Sequence, residues 1–244
     1  MQNYKITVSY DGTKYNGWQR QGNTKNTIQE KFENVLSAMC GESIEIHASG
    51  RTDAGVHALC QVANFKCKTE YNCNEVMDYL NKYLPEDILV TSVSKVHERF
   101  HARLNATAKT YEYSISVGKP DVFRRKYVYR ADYVPDIRKM QKAAERFLGT
   151  HDFKGFSSVK KTNKSTVRTI SCIDITETDG IINITLTGTG FLYNMVRIIC
   201  GTLYDIGTGK LSPDIIDGVF ESRVRADAGT TLPPCGLKLV EVFY

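Results

Sequence analysis

The sequence predicts a mixed α/β protein of the α+β kind, built as two similar halves in which mostly antiparallel strands are flanked by helices. Three observations predict it. Strand-like alternation and helical periodicity succeed one another along all 244 residues. The two strand-and-helix mixtures are of similar size, and nothing rich in proline and glycine separates them, so the halves are expected at 1–103 and 104–244 and tightly coupled. No convincing residue-level repeat relates them.

In the first half, Lys5 to Tyr10 alternates into a strand that Asp11-Gly12-Thr13 closes as a turn. A polar loop with Lys14, Tyr15, Trp18 and Arg20 follows. Thr27-Ile28-Gln29-Glu30 reads as a capping box opening a helix; Ile28, Phe32, Val35, Leu36 and Met39 keep helical spacing until Gly41 stops it. Ile44 to Ser49 and Leu59 to Phe65 are strand-like runs on either side of Gly50-Arg51-Thr52-Asp53-Ala54-Gly55-Val56-His57. Asn74 to Leu84 is a predicted helix ended by Pro85, and Ile88 to Val96 a strand.

In the second half, Leu104 to Val117 is predicted as a long strand and Pro135 to Leu148 as an amphipathic helix with Ile137, Met140, Ala144 and Phe147 on one face. Lys154 to Lys164 is a basic, serine-rich loop. Val167 to Thr176 and Ile181 to Thr187 form a hairpin around Asp179-Gly180. Phe191 to Ile206 is the most apolar helical stretch; Ser212-Pro213 opens another helix, with serine as cap and proline at its first position. Leu237 to Phe243 is a final strand.

Composition excludes several classes. With 41% hydrophobic and 24% charged residues the chain is neither disordered nor fibrous. No run approaches the ~18 apolar residues of a membrane helix, and the first residues lack the pattern of a secretory leader, so a cytoplasmic protein without membrane association is expected. The seven cysteines show no C-x-x-C spacing and read as small buried hydrophobes rather than as disulfides or metal ligands. Net charge is +5, and its basic residues are clustered: Lys66 with Lys68; Arg99, His101 and Arg103; Arg124-Arg125-Lys126 with Arg130; Lys160-Lys161 with Lys164 and Arg168. Tyr127, Tyr129, Phe153 and Phe156 interleave with them. Cations that neutralise phosphates beside rings that accept unstacked bases suit an RNA surface, although solvated strand and helix faces produce the same pattern.

Familiar catalytic signatures fail on context. His97-Glu98-Arg99-Phe100-His101 has zinc-protease spacing, but the valines before it favour strand and no third ligand follows. Gly207-Thr208-Gly209-Lys210 lacks the spacing of a phosphate loop, and neither G-x-S-x-G nor G-x-G-x-x-G is present. What remains is Asp53 between two glycines, with Arg51 two positions earlier. A lone carboxylate serves as nucleophile or base when a cation keeps it ionised and aromatic walls exclude water. Arg197, inside an otherwise apolar stretch, needs a partner, and Asp53, Asp205, Asp227 or water are the candidates. Tyr111 is suited to stacking on a base or to core packing.

The run His47-Ala48-Ser49-Gly50-Arg51-Thr52-Asp53-Ala54-Gly55-Val56-His57-Ala58-Leu59 resembles the catalytic motif of the TruA family of tRNA pseudouridine synthases. The resemblance continues through Tyr10 to Thr13, Tyr15 to Gln19, Phe100 to Arg103, Lys109 to Tyr113, His151 to Phe153, Gly188 to Arg197 and Ala228 to Leu237, in order along essentially the whole chain. It implies two α/β halves fused across a basic cleft and a homodimer that grips one tRNA. By the family pattern Asp53 is the catalytic aspartate that isomerises uridine, and Arg197 orients it. Arg51 helps hold the target base out of the stack, Tyr111 packs on that base and Leu237 walls the pocket. The expected substrate is the anticodon stem-loop, at uridines 38, 39 and 40. The reaction is a redox-neutral isomerisation, for which no metal or organic cofactor is expected. Cys60 stands where the family has glycine and Asn64 where histidine is common, so the RNA target is left between tRNA and another such as ribosomal RNA. Two further readings stand beside it: a non-catalytic RNA-binding protein on the same scaffold, and a small-glycoside hydrolase, which lacks an evident second carboxylate.

Overall fold

The computed structural model describes residues 1–160 and 163–244; Lys161 of the basic clusters lies outside the described residues. The protein is a mixed α/β fold with mostly antiparallel strands and, among the described residues, five α-helices. It forms two compact units, Met1–Thr107 with Lys238–Tyr244, and Ala108–Leu237.

In the first unit β1 (Gln2–Tyr10) lies between β3 (His57–Cys67) and β4 (Ile88–Val96), antiparallel to both, and β2 (Ile46–Ala48) pairs with β3. The last strand, β10 (Leu237–Phe243), counted with the second half on sequence grounds, runs parallel to β3 with Lys238 opposite His57. Because side chains alternate, Tyr4, Ile6 and Val8 share one buried face with Phe65 and Ala63. Two helices, α1 (Ile28–Cys40) and α2 (Cys73–Tyr83), supply its other apolar side chains, among them Phe32, Leu36, Val76 and Leu80. Of the expected capping box of α1, the Thr27 half is present, its hydroxyl accepting the Glu30 amide, and Gly41 ends the helix at φ +66°. His97 to His101 form a turn, not a helix, so the H-E-x-x-H spacing does not put two imidazoles on one helical face.

In the second unit β5 (Ala108–Ser116), β9 (Ile181–Gly188), β8 (Val167–Thr178) and β7 (Gly149–Asp152) form an antiparallel sheet, with the short β6 (Tyr129–Arg130) parallel to β5. The hairpin turns at Asp179-Gly180, both at positive φ. Among the described residues the unit also has the helices α3 (Ile137–Ala144), α4 (Met195–Gly207) and α5 (Ile215–Ser222).

Several expected boundaries move. The long strand starts at Ala108, because residues 101–104 turn. The helix expected from Ser212 begins after Asp214, the Ser212 hydroxyl accepting the Asp214 amide in the turn before it. The apolar helix begins at Met195 and not Phe191: Asn194 takes a left-handed φ of +60° immediately before it, which breaks any helix running through that position. Phe153 and Phe156, expected among the base-stacking rings, are both completely buried. They pack edge-on or tilted against Phe147 and Phe220 and belong to the core.

Candidate active site

The first unit carries Arg51 and Asp53 on the loop between β2 and β3. Both ends of that loop are tied to the sheet. Before it, the Ser49 amide donates to Val62 O at 2.7 Å and the Ser49 hydroxyl to Gln61 Oε1 at 2.7 Å, while the Gln61 amide returns a bond to Gly50 O. After it, the Gly12 amide donates to His57 Nδ1 at 3.1 Å, and Asp11 Oδ1 lies 3.2 Å from the same nitrogen.

The middle of the loop is held as well. Thr52 is buried; its hydroxyl is 2.7 Å from the Tyr10 phenol, and its carbonyl accepts the Trp18 amide at 3.0 Å. Burial pushes the Tyr10 hydroxyl up to about 12, so it stays protonated and able to donate at neutral pH. The Gly55 amide reaches Tyr15 O and the Val56 amide folds back onto Asp53 O. Of the two glycines expected to shape the loop, Gly55 takes a left-handed φ of +78°, whereas Gly50 does not leave the ordinary region. Gly17 matters more: at φ +86°, a Cβ there would stand 2.6 Å from the Thr52 carbonyl. Asp53 is thus presented, half-buried, from a backbone fixed on both sides.

Arg51 is exposed, and its Nε donates to Gln19 Oε1 at 2.9 Å. The first turns of α1 fix the Trp18–Arg20 strip that carries Gln19: the Gln29 amide donates to Trp18 O, Gln29 Oε1 accepts the Arg20 amide, and the Gln29 side chain donates to Glu33. A groove of about 800 Å³ lined by Gln19, Arg20, Lys25, Glu33 and Glu45 adjoins this strip, and Asp53 does not line it.

The second unit carries Tyr111, Arg197 and Leu237. Tyr111 lies on β5, 8% exposed, with its ring edge-on to Phe191 at 5.2 Å. Leu237 is buried at the end of the segment that follows Pro233. Arg197 sits on the first turn of α4, where its Nε donates to Leu232 O at 2.7 Å and its Nη1 to Asn194 Oδ1 at 2.7 Å. Two of the partners open to it in sequence are engaged elsewhere: Asp205 accepts from Thr230 and pairs with Lys210, and Asp227 accepts from Ser222. Close packing explains the small residues nearby. A Cβ at Gly201 would stand 1.7 Å from Thr230 O, so residues 228–233 lie directly against α4.

The sequence named Arg51, Asp53, Tyr111, Arg197 and Leu237, but it missed what holds them. Tyr10, Gln19, Gln61 and Asn194 are the supporting residues. Tyr10, Gln19 and Asn194 fall inside runs already singled out, Tyr10 to Thr13, Tyr15 to Gln19 and Gly188 to Arg197, which is the signal that marked them.

A family model described as tRNA pseudouridine synthase matches residues 6–105 and 143–244. The tRNA pseudouridine synthase A of Bacillus sp. (strain KSM-64) is 50% identical over 230 residues, 94% of each chain. Over 245 residues, and 100% of both chains, tRNA pseudouridine synthase A 1 of Clostridium tetani is 46% identical and tRNA pseudouridine synthase A 2 of Bacillus cereus (strain ATCC 14579) is 45% identical. On a family match through both units and relatives of this identity along its length, the chain belongs to the tRNA pseudouridine synthase family.

Proposed function

We propose that this enzyme isomerises uridine to pseudouridine at positions 38, 39 and 40 of the tRNA anticodon stem-loop, in the cytoplasm, as a homodimer. The observation that carries the reading is the presentation of Asp53 from a loop fixed through Ser49, Thr52 and His57, within a chain that matches the family in both units.

A uridine stacked in a stem is out of reach, so it is extruded at a cost of a few kcal/mol. Arg51 holds the extruded nucleotide and Tyr111 packs on the base, offsetting that cost. Leu237 provides an apolar wall that keeps water out. Asp53 acts on the nucleotide as its carboxylate, oriented by Arg197. The N1–C1′ bond breaks, the base turns, and C5 bonds to C1′; C5 gives up its proton and N1 gains one, so product and substrate are isomers. Electrons balance within the nucleotide, so the chemistry calls for no redox partner.

Mapping pseudouridine in total tRNA and ribosomal RNA from cells with and without this protein tests the reading. Loss confined to positions 38–40 of tRNA is expected. Loss in ribosomal RNA alone would assign the same chemistry to another target, and no loss anywhere would favour a non-catalytic RNA-binding role.

A further inference from the structure

Four cationic or titratable side chains from separate parts of the sequence meet on the face of the first unit's sheet opposite its apolar helix-packed side. His47 on β2 is paired in register with Asn64 on β3, so it shares a face with Asn64 and Lys66. The turn after β4 lies over the same face. Asn3 donates to the carbonyls of His97 and Phe100, and Asn64 accepts the Ala102 amide at 2.8 Å. These bonds press His101 onto His47, with ring centroids 4.9 Å apart and planes 23° from parallel. Asn64, one of the departures from the family pattern, is thereby the clamp that sets the stack.

The two imidazoles are not equivalent. His101 Nδ1 accepts the Arg103 amide at 3.1 Å, so that nitrogen is occupied as an acceptor. Burial, and then the positive neighbours His47, Arg103 and Lys66, hold His101 below the ordinary histidine range. His47 is more open, its side chain 40% exposed, and its Nδ1 lies 3.8 Å from the exposed Glu45 carboxylate. Lys66 and Arg103 are exposed on the same patch, and Lys5, opposite Asn64 on β1, has its amine 5.8 Å from the Tyr244 ring centre. The more open His47 ring, stacked on His101, is therefore the one of the pair that an anion reaches from solvent. β2, which carries His47, leads directly into the loop that carries Asp53.

We propose that the stacked His47 and His101, with Lys66 and Arg103, form a binding site for an RNA backbone phosphate that takes up one proton at His47 when RNA binds. The inference rests on the RNA-modifying function proposed above. Binding an anion favours the protonated pair, so affinity rises as pH falls. For one proton the gain is at most about tenfold per pH unit.

The test is the affinity for an unmodified tRNA transcript at pH 6, 7 and 8 and constant ionic strength. For the wild-type protein it is expected to rise several-fold from pH 8 to pH 6. Proton uptake on binding, read by calorimetry in buffers of different ionisation enthalpy, is expected at pH 7 and needs no variant. His47→Gln should bind weakly with a flattened pH response, and His47→Lys tightly with an equally flat one, because its charge is permanent. A wild-type affinity independent of pH, absence of proton uptake, or a wild-type pH response in His47→Gln would each overturn the inference. Pseudouridine scored in the same samples separates the two ideas. Conversion with a pH-independent affinity sinks only the phosphate site, whereas a pH-dependent affinity without conversion upholds the site and sinks the function.

Discussion

The phenol of Tyr10 and the hydroxyl of Thr52 are 2.7 Å apart and buried, so the residue next to Asp53 is hydrogen-bonded to the last residue of β1. The contact transmits the rigidity of a central strand to the loop. Tyr10→Phe removes it and leaves the Thr52 hydroxyl short of a partner, at a cost of about 1 kcal/mol. Steady-state kinetics on a tRNA transcript should show kcat falling several-fold with RNA affinity little changed.

Gly17 makes a close backbone approach to the same loop from a left-handed conformation. Gly17→Ala combines a left-handed φ with a Cβ 2.6 Å from the Thr52 carbonyl, and strain of this kind costs roughly 1–3 kcal/mol. Thermal unfolding should shift down by several degrees. Gly22→Ala, whose Cβ meets open space, is the control and should unfold like the wild type.

Phe153 and Phe156 separate core from RNA surface. Phe153→Ala should destabilise the protein by about 3–5 kcal/mol in denaturant unfolding. A variant of unchanged stability but weakened RNA binding would return that ring to the surface role its basic surroundings suggested.

Burial raises the Cys40 thiol to about 12 and moves Cys200 in the same direction, as it raises the Tyr10 phenol to about 12. A raised folded-state value means that the folded protein holds its proton more tightly than the unfolded chain. The stability is fully present below the ordinary thiol value of 9.0 and is lost as pH climbs from there towards 12. Melting temperature should therefore decline steadily above pH 9. At neutral pH a maleimide should label the exposed Cys172 and reach the buried Cys67 and Cys200 only after unfolding.

Much of this was legible in the sequence where the determinants are local. Thr27 and Gly41 bracket α1, and Asp179-Gly180 marks the hairpin, because caps and turns are set by neighbouring residues. The start of α4 was not legible: Phe191 to Ile199 is apolar with helical spacing, and only the left-handed Asn194 interrupts it. Phe153 and Phe156 misled for a related reason, since basic neighbours expose the loop backbone while the rings turn inward. The loop that carries Asp53 was legible as a loop between two strands, from the strand-like runs on either side of it. Its supports were not, because Tyr10 to Thr52, Gln19 to Arg51 and Gln61 to Ser49 are tertiary contacts that no local pattern encodes.

The chemistry is assigned to Asp53. Purified wild-type and Asp53→Asn proteins, matched for thermal stability and tRNA affinity, should be incubated with an unmodified tRNA transcript and the product mapped for pseudouridine. Conversion at positions 38–40 by the wild type and none detectable with Asp53→Asn is the predicted result; full conversion by Asp53→Asn would contradict the assignment of the chemistry to this carboxylate.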